Sequence, residues 1–157
     1  MAVTKTTEAA IARLIDIEAI RQLKARYCYL IDEARWDELD NLWTEDAVCD
    51  YGFFGRFEGR QAIMDNFFRG LVASASTFNA HMLHNPIIDV ENDGADASWY
   101  FTAHTTVNGR ALWAMGKYRD RYARVQDEWK IAAIAVEFKY YTPFEEGWVK
   151  TPMWRPV

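Results

Sequence analysis

The chain has 157 residues, a formal net charge of −5 and 50% hydrophobic residues. This length predicts one domain, residues 1–157, and excludes two independent hydrophobic cores. An acidic chain without a basic stripe argues against nucleic acid as a partner. Seven tryptophans, eight tyrosines and nine phenylalanines make up 15% of the chain. So many large rings must fill a core, line a ligand cavity or form subunit contacts.

The N-terminal residues, the longest aliphatic run and the two cysteines bear on the cellular compartment. The N-terminus has no apolar leader, and the longest aliphatic run, residues 131–136, is too short to cross a bilayer. We therefore expect a cytoplasmic protein without a membrane segment. A reducing compartment disfavours a disulfide, so Cys28 and Cys49 are predicted to be buried free thiols.

The N-terminal half has helical periodicity. Apolar residues recur at intervals of three and four over residues 7 to about 33, which predicts a long amphipathic helix. Its apolar positions are Ile11, Leu14, Ile15, Ile17, Ile20, Leu23, Tyr27, Leu30 and Ile31. A short helix at about 36–43, a short strand at 47–51, a glycine-rich turn and a third helix at 59–73 follow.

After residue 76 the period changes to two. Four long strands are predicted at about 77–91, 95–108, 110–125 and 128–141, and the short turns between them force antiparallel pairing. Helices followed by a meander give an α+β fold. Long strands twist and curl, so we expect a cone-shaped α+β barrel with a cavity between sheet and first helix. The tail, 142–157, is predicted to pack across the cavity mouth or a neighbouring subunit.

Few residues in this pattern carry chemistry. His81 and His84 lie three apart on a strand and therefore point to opposite faces, which argues against a shared metal site. His81 is either a packing residue or a catalyst. No phosphate-binding loop or nucleophile elbow is present, so neither a cofactor nor a covalent mechanism is predicted.

Three further side chains interrupt apolar surroundings. Asp32 lies near the end of the long helix, where its charge opposes the helix dipole, so it is either solvated or paired. Glu137 interrupts the apolar run of the last strand and lies either on the solvated face or buried with a partner. Tyr27 lies on the apolar face of the helix, where filling the core is the default role.

Several segments resemble the SnoaL-like family of the superfamily named for nuclear transport factor two. The matching segments are IEAIRQLK (17–24), YCYLID (27–32), WDEL (36–39), WTEDAV (43–48), NAHM (79–82) and GKYRDRY (116–122). The resemblance covers about residues 8–145. Its members include scytalone dehydratase, bile-acid 7α-dehydratase and hexachlorocyclohexane dehydrochlorinase.

The resemblance implies a cofactor-independent lyase. In these lyases an Asp near the end of the first helix and a His opening the first long strand carry the chemistry, and Asp32 and His81 occupy the matching positions. Tyr27 falls where the bile-acid dehydratase has a functional tyrosine. The expected reaction is a dehydratase-type elimination on a hydrophobic cyclic substrate, steroid-like or polyketide-like, in an apolar cavity.

The resemblance also suggests roles for the four candidate residues. His81 is the expected general base, oriented by Asp32, while Tyr27 polarises a substrate oxygen and Glu137 binds a hydroxyl or assists proton transfer. Glu137 stands where the dehydrochlorinase has an arginine, so dehalogenation is not expected. The additional strand aspartate of the bile-acid enzyme corresponds to about Ala103, so its precise activity is not carried over.

Two alternatives stay open at this point. One is isomerase or cyclase chemistry on a similar ligand, in which the proton is returned. The other is a non-catalytic ligand-binding or assembly subunit, like the β-subunits of ring-hydroxylating dioxygenases, which predicts Asp32 and His81 too far apart to touch. A homo-oligomer, trimer or dimer, is expected because the outer face of an open sheet needs cover.

Overall fold

A computed structural model describes residues 2–155. The helices α1 (Ala2–Asp32) and α2 (Trp36–Asp40) come first, followed by β1 (Trp43–Asp50), a 3-10 turn (Gly52–Phe54) and β2 (Arg56–Glu58). The helical segment consists of α3 (Arg60–Ala62), a π-helix (Ile63–Val72) and α4 (Ala73–Ala75). The remaining elements are β3 (Ser76–Glu91), β4 (Gly94–Val107), β5 (Arg110–Val125), β6 (Glu128–Pro143) and α5 (Gly147–Lys150). The predicted α+β order is confirmed.

All six strands form one sheet in the order β2-β1-β6-β5-β4-β3. The four long strands pair as the predicted antiparallel meander. Strand β1 pairs in parallel with β6, so the sheet is mixed. Strand β1 also begins at Trp43, a residue that the periodicity had assigned to the end of the second helix.

Two irregularities in the pairing of β5 with β6 bend the sheet. The register shifts between Met115 and Gly116 and again between Arg121 and Tyr122. Such bulges increase local twist and curvature. Glycine is required at the first of them, because a Cβ on Gly116 would lie 2.3 Å from the carbonyl oxygen of Glu137. The curled sheet faces α1 with its inner surface.

Helix α1 is buried only in its C-terminal half. Ile20, Leu23 and Tyr27 are no more than 6% exposed. The N-terminal half meets the sheet through polar side chains, since Arg13 donates to the Val90 carbonyl oxygen and Asp16 accepts from Arg124. Its predicted apolar face is not buried, because Ile11, Leu14 and Ile15 are 52–64% exposed. Although α1 has 31 residues, no helix in the described chain is long and apolar enough to span a membrane.

The predicted third helix is confirmed in extent but not in type, because its middle is a π-helix. Gly70 permits this winding, since a Cβ there would lie 2.7 Å from the carbonyl oxygen of Asp65, five residues earlier. The wider turn is typical of π-bulges, which are frequent at functional sites. Its buried residues are Ile63, Met64, Phe67 and Phe68.

Cys28 and Cys49 are buried and unpaired, as predicted. Burial raises the pKa of each thiol to about 12. Both side chains therefore act as small apolar core residues at neutral pH rather than as nucleophiles.

A fully buried ion pair links α1 to the sheet. Lys24 Nζ lies 2.9 Å from Asp120 Oδ2 on β5, and both side chains are 0% exposed. The Tyr122 hydroxyl donates a 2.7 Å hydrogen bond to the same carboxylate oxygen. The Lys24 ammonium also lies 3.7 Å from the centroid of the Tyr118 ring. Burial raises the pKa of Asp120, an effect that Lys24 and Tyr122 oppose.

We expect Lys24→Met to lower the free energy of unfolding by about 3–5 kcal/mol, because it leaves a buried carboxylate unpaired. The double change Lys24→Met with Asp120→Asn should be less destabilising than Lys24→Met alone. Lys139→Met is a matched control, since the Lys139–Glu137 pair has a similar 2.8 Å distance but is 47–49% exposed, and it should cost less than about 1 kcal/mol. Urea unfolding measures all three. Equal losses for Lys24→Met and Lys139→Met would contradict this account.

Candidate functional site

The inner surface of the sheet, α1 and the π-helix enclose a cavity of about 370 Å³. Aromatic rings form much of its lining, including Phe54, Phe67, Phe68, Phe101, Phe138 and Tyr141. Among the described residues that line it there is no Lys, Arg, Asp or Glu. The cavity is therefore apolar apart from a few hydroxyl, amide and imidazole groups.

His81 lines the cavity and is hydrogen-bonded to Asp32 at the end of α1. Its ring Nδ1 lies 2.6 Å from Asp32 Oδ1, and its backbone N–H donates a 2.9 Å hydrogen bond to Asp32 Oδ2. Both side chains are partly buried, with exposures of 16% for His81 and 21% for Asp32. Both carboxylate oxygens are thus bound to one residue, and no described residue forms a hydrogen bond with the other ring nitrogen of His81, Nε2.

The alternation of β3 explains why His81 faces inward. His81 pairs across the strands with Ala103, which also lines the cavity. His84 lies on the outer face, where its Nε2 is 3.1 Å from the Thr102 hydroxyl. The prediction that the two histidines point to opposite faces is confirmed. Ala103 offers only a methyl group, so no second carboxylate stands at that position.

Two tyrosines form a second polar point in the cavity wall. The hydroxyls of Tyr27 and Tyr51 lie 2.9 Å apart, and both residues line the cavity. Burial raises the pKa of each phenol well above its usual value, so both stay protonated at neutral pH. Cys49 is a second hydrogen-bond neighbour of Tyr51. When Tyr51 donates its proton to Tyr27, the Tyr27 O–H remains for a ligand.

Tyr27 and Asp32 reach the same site although they point in different directions from α1. Five helical residues separate them, which rotates their side chains by about 140° around the axis. Tyr27 reaches the cavity from the helix flank, whereas Asp32 is the last residue of α1 and reaches β3 from its end. The helix end therefore brings both groups to one site through different directions.

A third polar point lies on β3, two residues before His81. Asn79 Oδ1 accepts hydrogen bonds from the hydroxyls of Ser76, at 2.9 Å, and Thr105, at 2.8 Å. All three residues line the cavity. The amide is thus held by two hydroxyls that are themselves fixed to the sheet.

Glu137 does not reach the cavity. Its neighbours Val136 and Phe138 line the cavity, whereas Glu137 points to the outer face, where its carboxylate is 2.8 Å from Lys139 and 3.6 Å from Arg119. Lys139 lowers the pKa of Glu137 through a hydrogen bond. The predicted role of Glu137 in binding or proton transfer is therefore wrong, because the period of two places it on the solvated side.

Two residues of the site were not predicted from the sequence. Tyr51 follows Ala47 and Cys49 at intervals of two, a spacing that would have placed it on the buried face. Asn79 precedes His81 by two residues, which would have placed it on the same face of β3. Each signal lay in the phase of a strand rather than in a motif.

The tail packs beside one wall of the cavity. The Trp154 ring stacks on Tyr141 with 6.2 Å between centroids. Tyr141 also pairs with Met153 through a parallel bridge. The predicted packing across the mouth or on a neighbouring subunit stays a prediction, as does the homo-oligomer.

The last feature of the site concerns metal ions. Within residues 2–155, no cluster of three or more His, Cys, Asp or Glu side chains is arranged to hold an ion.

Comparison with known proteins shows where this architecture belongs. A protein of Mycobacterium tuberculosis (strain ATCC 25618 / H37Rv), itself uncharacterized, is 29% identical over 137 residues, covering 83% of this chain and 90% of the relative. The hexachlorocyclohexane dehydrochlorinase LinA-type3 of Novosphingobium barchaimii LL02 superposes with a TM-score of 0.79 at 17% identity, covering 94% of this chain and 99% of that one.

A second solved structure, from Novosphingobium aromaticivorans DSM 12444, is provisionally named a scytalone dehydratase. It has a TM-score of 0.79 and 21% identity over 86% of this chain and 91% of its own. These two structures share the fold of this chain. The sequence profile of the SnoaL-like domain matches residues 12–135, and the chain belongs to the SnoaL-like family.

Proposed function

We propose that this protein is a cofactor-independent lyase that removes water from a hydrophobic cyclic β-hydroxy ketone. The observation that carries the proposal is the 2.6 Å contact between Asp32 and His81 Nδ1 at the wall of an apolar cavity. The alternative of a non-catalytic binding or assembly subunit predicts that these two side chains lie too far apart to touch, and the contact disagrees with it. The similarity to lyases in fold agrees with the proposal but does not select the substrate.

The Asp32 contact determines which ring nitrogen of the neutral imidazole carries the proton. A carboxylate accepts hydrogen bonds, so the neutral ring carries its proton on Nδ1 and leaves the Nε2 lone pair free. Nε2 is then positioned to take the α-proton of a ketone, and Asp32 stabilises the imidazolium that forms.

The tyrosine pair supplies the complementary group. When the α-proton leaves, negative charge develops on the ketone oxygen. The free O–H of the Tyr27–Tyr51 pair donates a hydrogen bond to that oxygen, and the apolar walls strengthen the interaction. The His81 imidazolium then returns its proton to the departing β-hydroxyl, which leaves as water, and the carbon–carbon double bond forms.

Cavity size narrows the substrate class. At the packing density of protein interiors, roughly 0.75, a cavity of about 370 Å³ accommodates two or three fused rings. A polyketide-like bicyclic or tricyclic ketone fits within this space, whereas a four-ring steroid with a side chain would extend through the open side of the cavity. The absence of charged lining residues among those described favours a neutral ligand.

The first test of the proposed base is which ring nitrogen of His81 carries the proton. In nitrogen-15 NMR spectra at a pH where imidazole is neutral, we expect Nδ1 of His81 to be protonated and Nε2 unprotonated. Asp32→Ala should remove this preference. His84 is the internal control, since it has no carboxylate partner and should not change. A His81 ring with its proton on Nε2 would contradict the proposed base.

Turnover gives the second test, with 3-hydroxy-1-tetralone as the probe substrate. Loss of water gives 1-naphthol, which is followed by fluorescence and confirmed by mass. His81→Ala should lower kcat/KM by about 10²–10⁴-fold, as expected for loss of a general base. Tyr27→Phe should lower kcat by about 100-fold, as for loss of one oxyanion donor.

His84→Ala is the matched control for this experiment, because it removes a histidine from the outer face of the same strand. It should leave kcat/KM within about twofold of wild type, given that surface changes are small in effect. Unchanged turnover in His81→Ala would refute the proposed mechanism.

The isomerase alternative is separated by whether water is lost. In deuterated water, both enzymes would exchange the C2 protons of 1-tetralone, which has no leaving group, but an isomerase would form no 1-naphthol from 3-hydroxy-1-tetralone. The proposed lyase forms 1-naphthol. A binding subunit would do neither.

A further inference from the structure

We propose that Asn79 binds a second oxygen of the substrate, across the ring from the reacting carbon. This inference deepens the proposed function and rests on it for the identity of the reacting carbon. It assigns the cavity to cyclic ketones that carry an ether, carbonyl or hydroxyl oxygen on the far side of a fused ring. Cyclic ketones without such an oxygen should bind more weakly.

The hydrogen bonds around Asn79 identify which atom is free. The amide has one acceptor oxygen and one NH₂ donor. In the structure the Ser76 and Thr105 hydroxyls lie 2.9 Å and 2.8 Å from Oδ1, and both also lie within 3.3 Å of the Phe78 carbonyl oxygen, a second acceptor for their protons. In this orientation of the amide the NH₂ group is the free end. No described residue accepts a hydrogen bond from Nδ2. A donor without a protein partner gains from a ligand oxygen that accepts its hydrogen bond.

The strand fixes the distance between the two polar points. Asn79 and His81 lie on the same face of β3, and two residues along a strand span about 7 Å. A ligand whose α-carbon contacts His81 Nε2 can therefore present to Asn79 an oxygen on the opposite side of a bicyclic ring. An oxygen next to the reacting carbon would be too close to His81 to reach the amide.

Thr105 and Ser76 act as positioning residues in this arrangement. They come from β4 and from the first residue of β3, so the amide is held by two elements of the sheet. Thr105→Val keeps the shape of the side chain but removes the hydroxyl. It should weaken recognition of the second oxygen without removing Asn79.

The test compares two ketones that differ by one atom and cannot be dehydrated. The probes are 6-methoxy-1-tetralone and 6-ethyl-1-tetralone, in which a methylene replaces the ether oxygen. Isothermal titration gives the ratio of their dissociation constants. For the wild type we expect the methoxy ketone to bind about threefold to tenfold more tightly, the value of one net hydrogen bond.

The ratio should fall to about one in Asn79→Leu, and to an intermediate value in Thr105→Val, for loss of part or all of that bond. Asn79→Asp, which is nearly isosteric, keeps the shape of the site but presents acceptors only, and should also abolish the preference for the ether. Asn66→Ala is the matched control, since Asn66 is exposed on the π-helix, and it should keep the wild-type ratio.

A ratio near one in wild type, or an unchanged ratio in Asn79→Leu and Asn79→Asp, would overturn the assignment. Because the probes lack a leaving group, this result does not depend on turnover. Absence of 1-naphthol from 3-hydroxy-1-tetralone with a ratio that depends on Asn79 would refute the lyase and retain the Asn79 site. Normal turnover with a ratio independent of Asn79 would do the reverse.

Discussion

The buried ion pair between Lys24 and Asp120 determines how α1 sits in the curled sheet. An ammonium and a carboxylate that are both 0% exposed can exist there only if they meet. Their contact fixes the rotation of the helix about its axis, and with it the direction of every residue further along. Tyr27, three residues on, then faces the cavity, as does Ile31 at seven. The chemistry of the site thus depends on a contact that does not line the cavity.

The same rotation brings the end of α1 to the edge of the sheet. Strand β3 is one of the two edge strands, and Asp32 binds both the backbone N–H and the ring of His81. One carboxylate therefore attaches the helix to the edge strand and orients the imidazole. A charge at the C-terminal end of a helix opposes the dipole, and these two hydrogen bonds offset that cost. Substitution of Asp32 should for this reason affect stability as well as turnover, which is why the His81 tautomer is the more specific readout.

The sequence was most informative where a long, regular period decided the structure. The four long strands and their antiparallel pairing were predictable, and so was the partnership of Asp32 and His81 once the family resemblance was recognised. The role predicted for Glu137 was wrong because Val136 and Phe138 already identify the inner face of β6, and the period of two places Glu137 on the outer face. The π-helix was not predictable, since a close approach of Gly70 to Asp65 has no signal in periodicity. The exposed Ile11, Leu14 and Ile15 continue the apolar pattern of α1 into a part of the helix that bonds to the sheet through Arg13 and Asp16.

The three polar points of the cavity explain why a ligand must be neutral and must place its oxygens at fixed positions. Its described lining has no Lys, Arg, Asp or Glu, so a phosphate or carboxylate would be buried without a counter-charge, at a cost of several kcal/mol. Each polar point instead exposes one unshared function: the lone pair of His81, one phenol O–H and the NH₂ group of Asn79. The phenol O–H and the NH₂ group donate hydrogen bonds, whereas the His81 lone pair accepts a proton. These functions match a neutral molecule with two oxygens and one acidic C–H. The aromatic residues that first distinguished the composition supply the walls, and these few polar atoms supply the direction in which a ligand must lie.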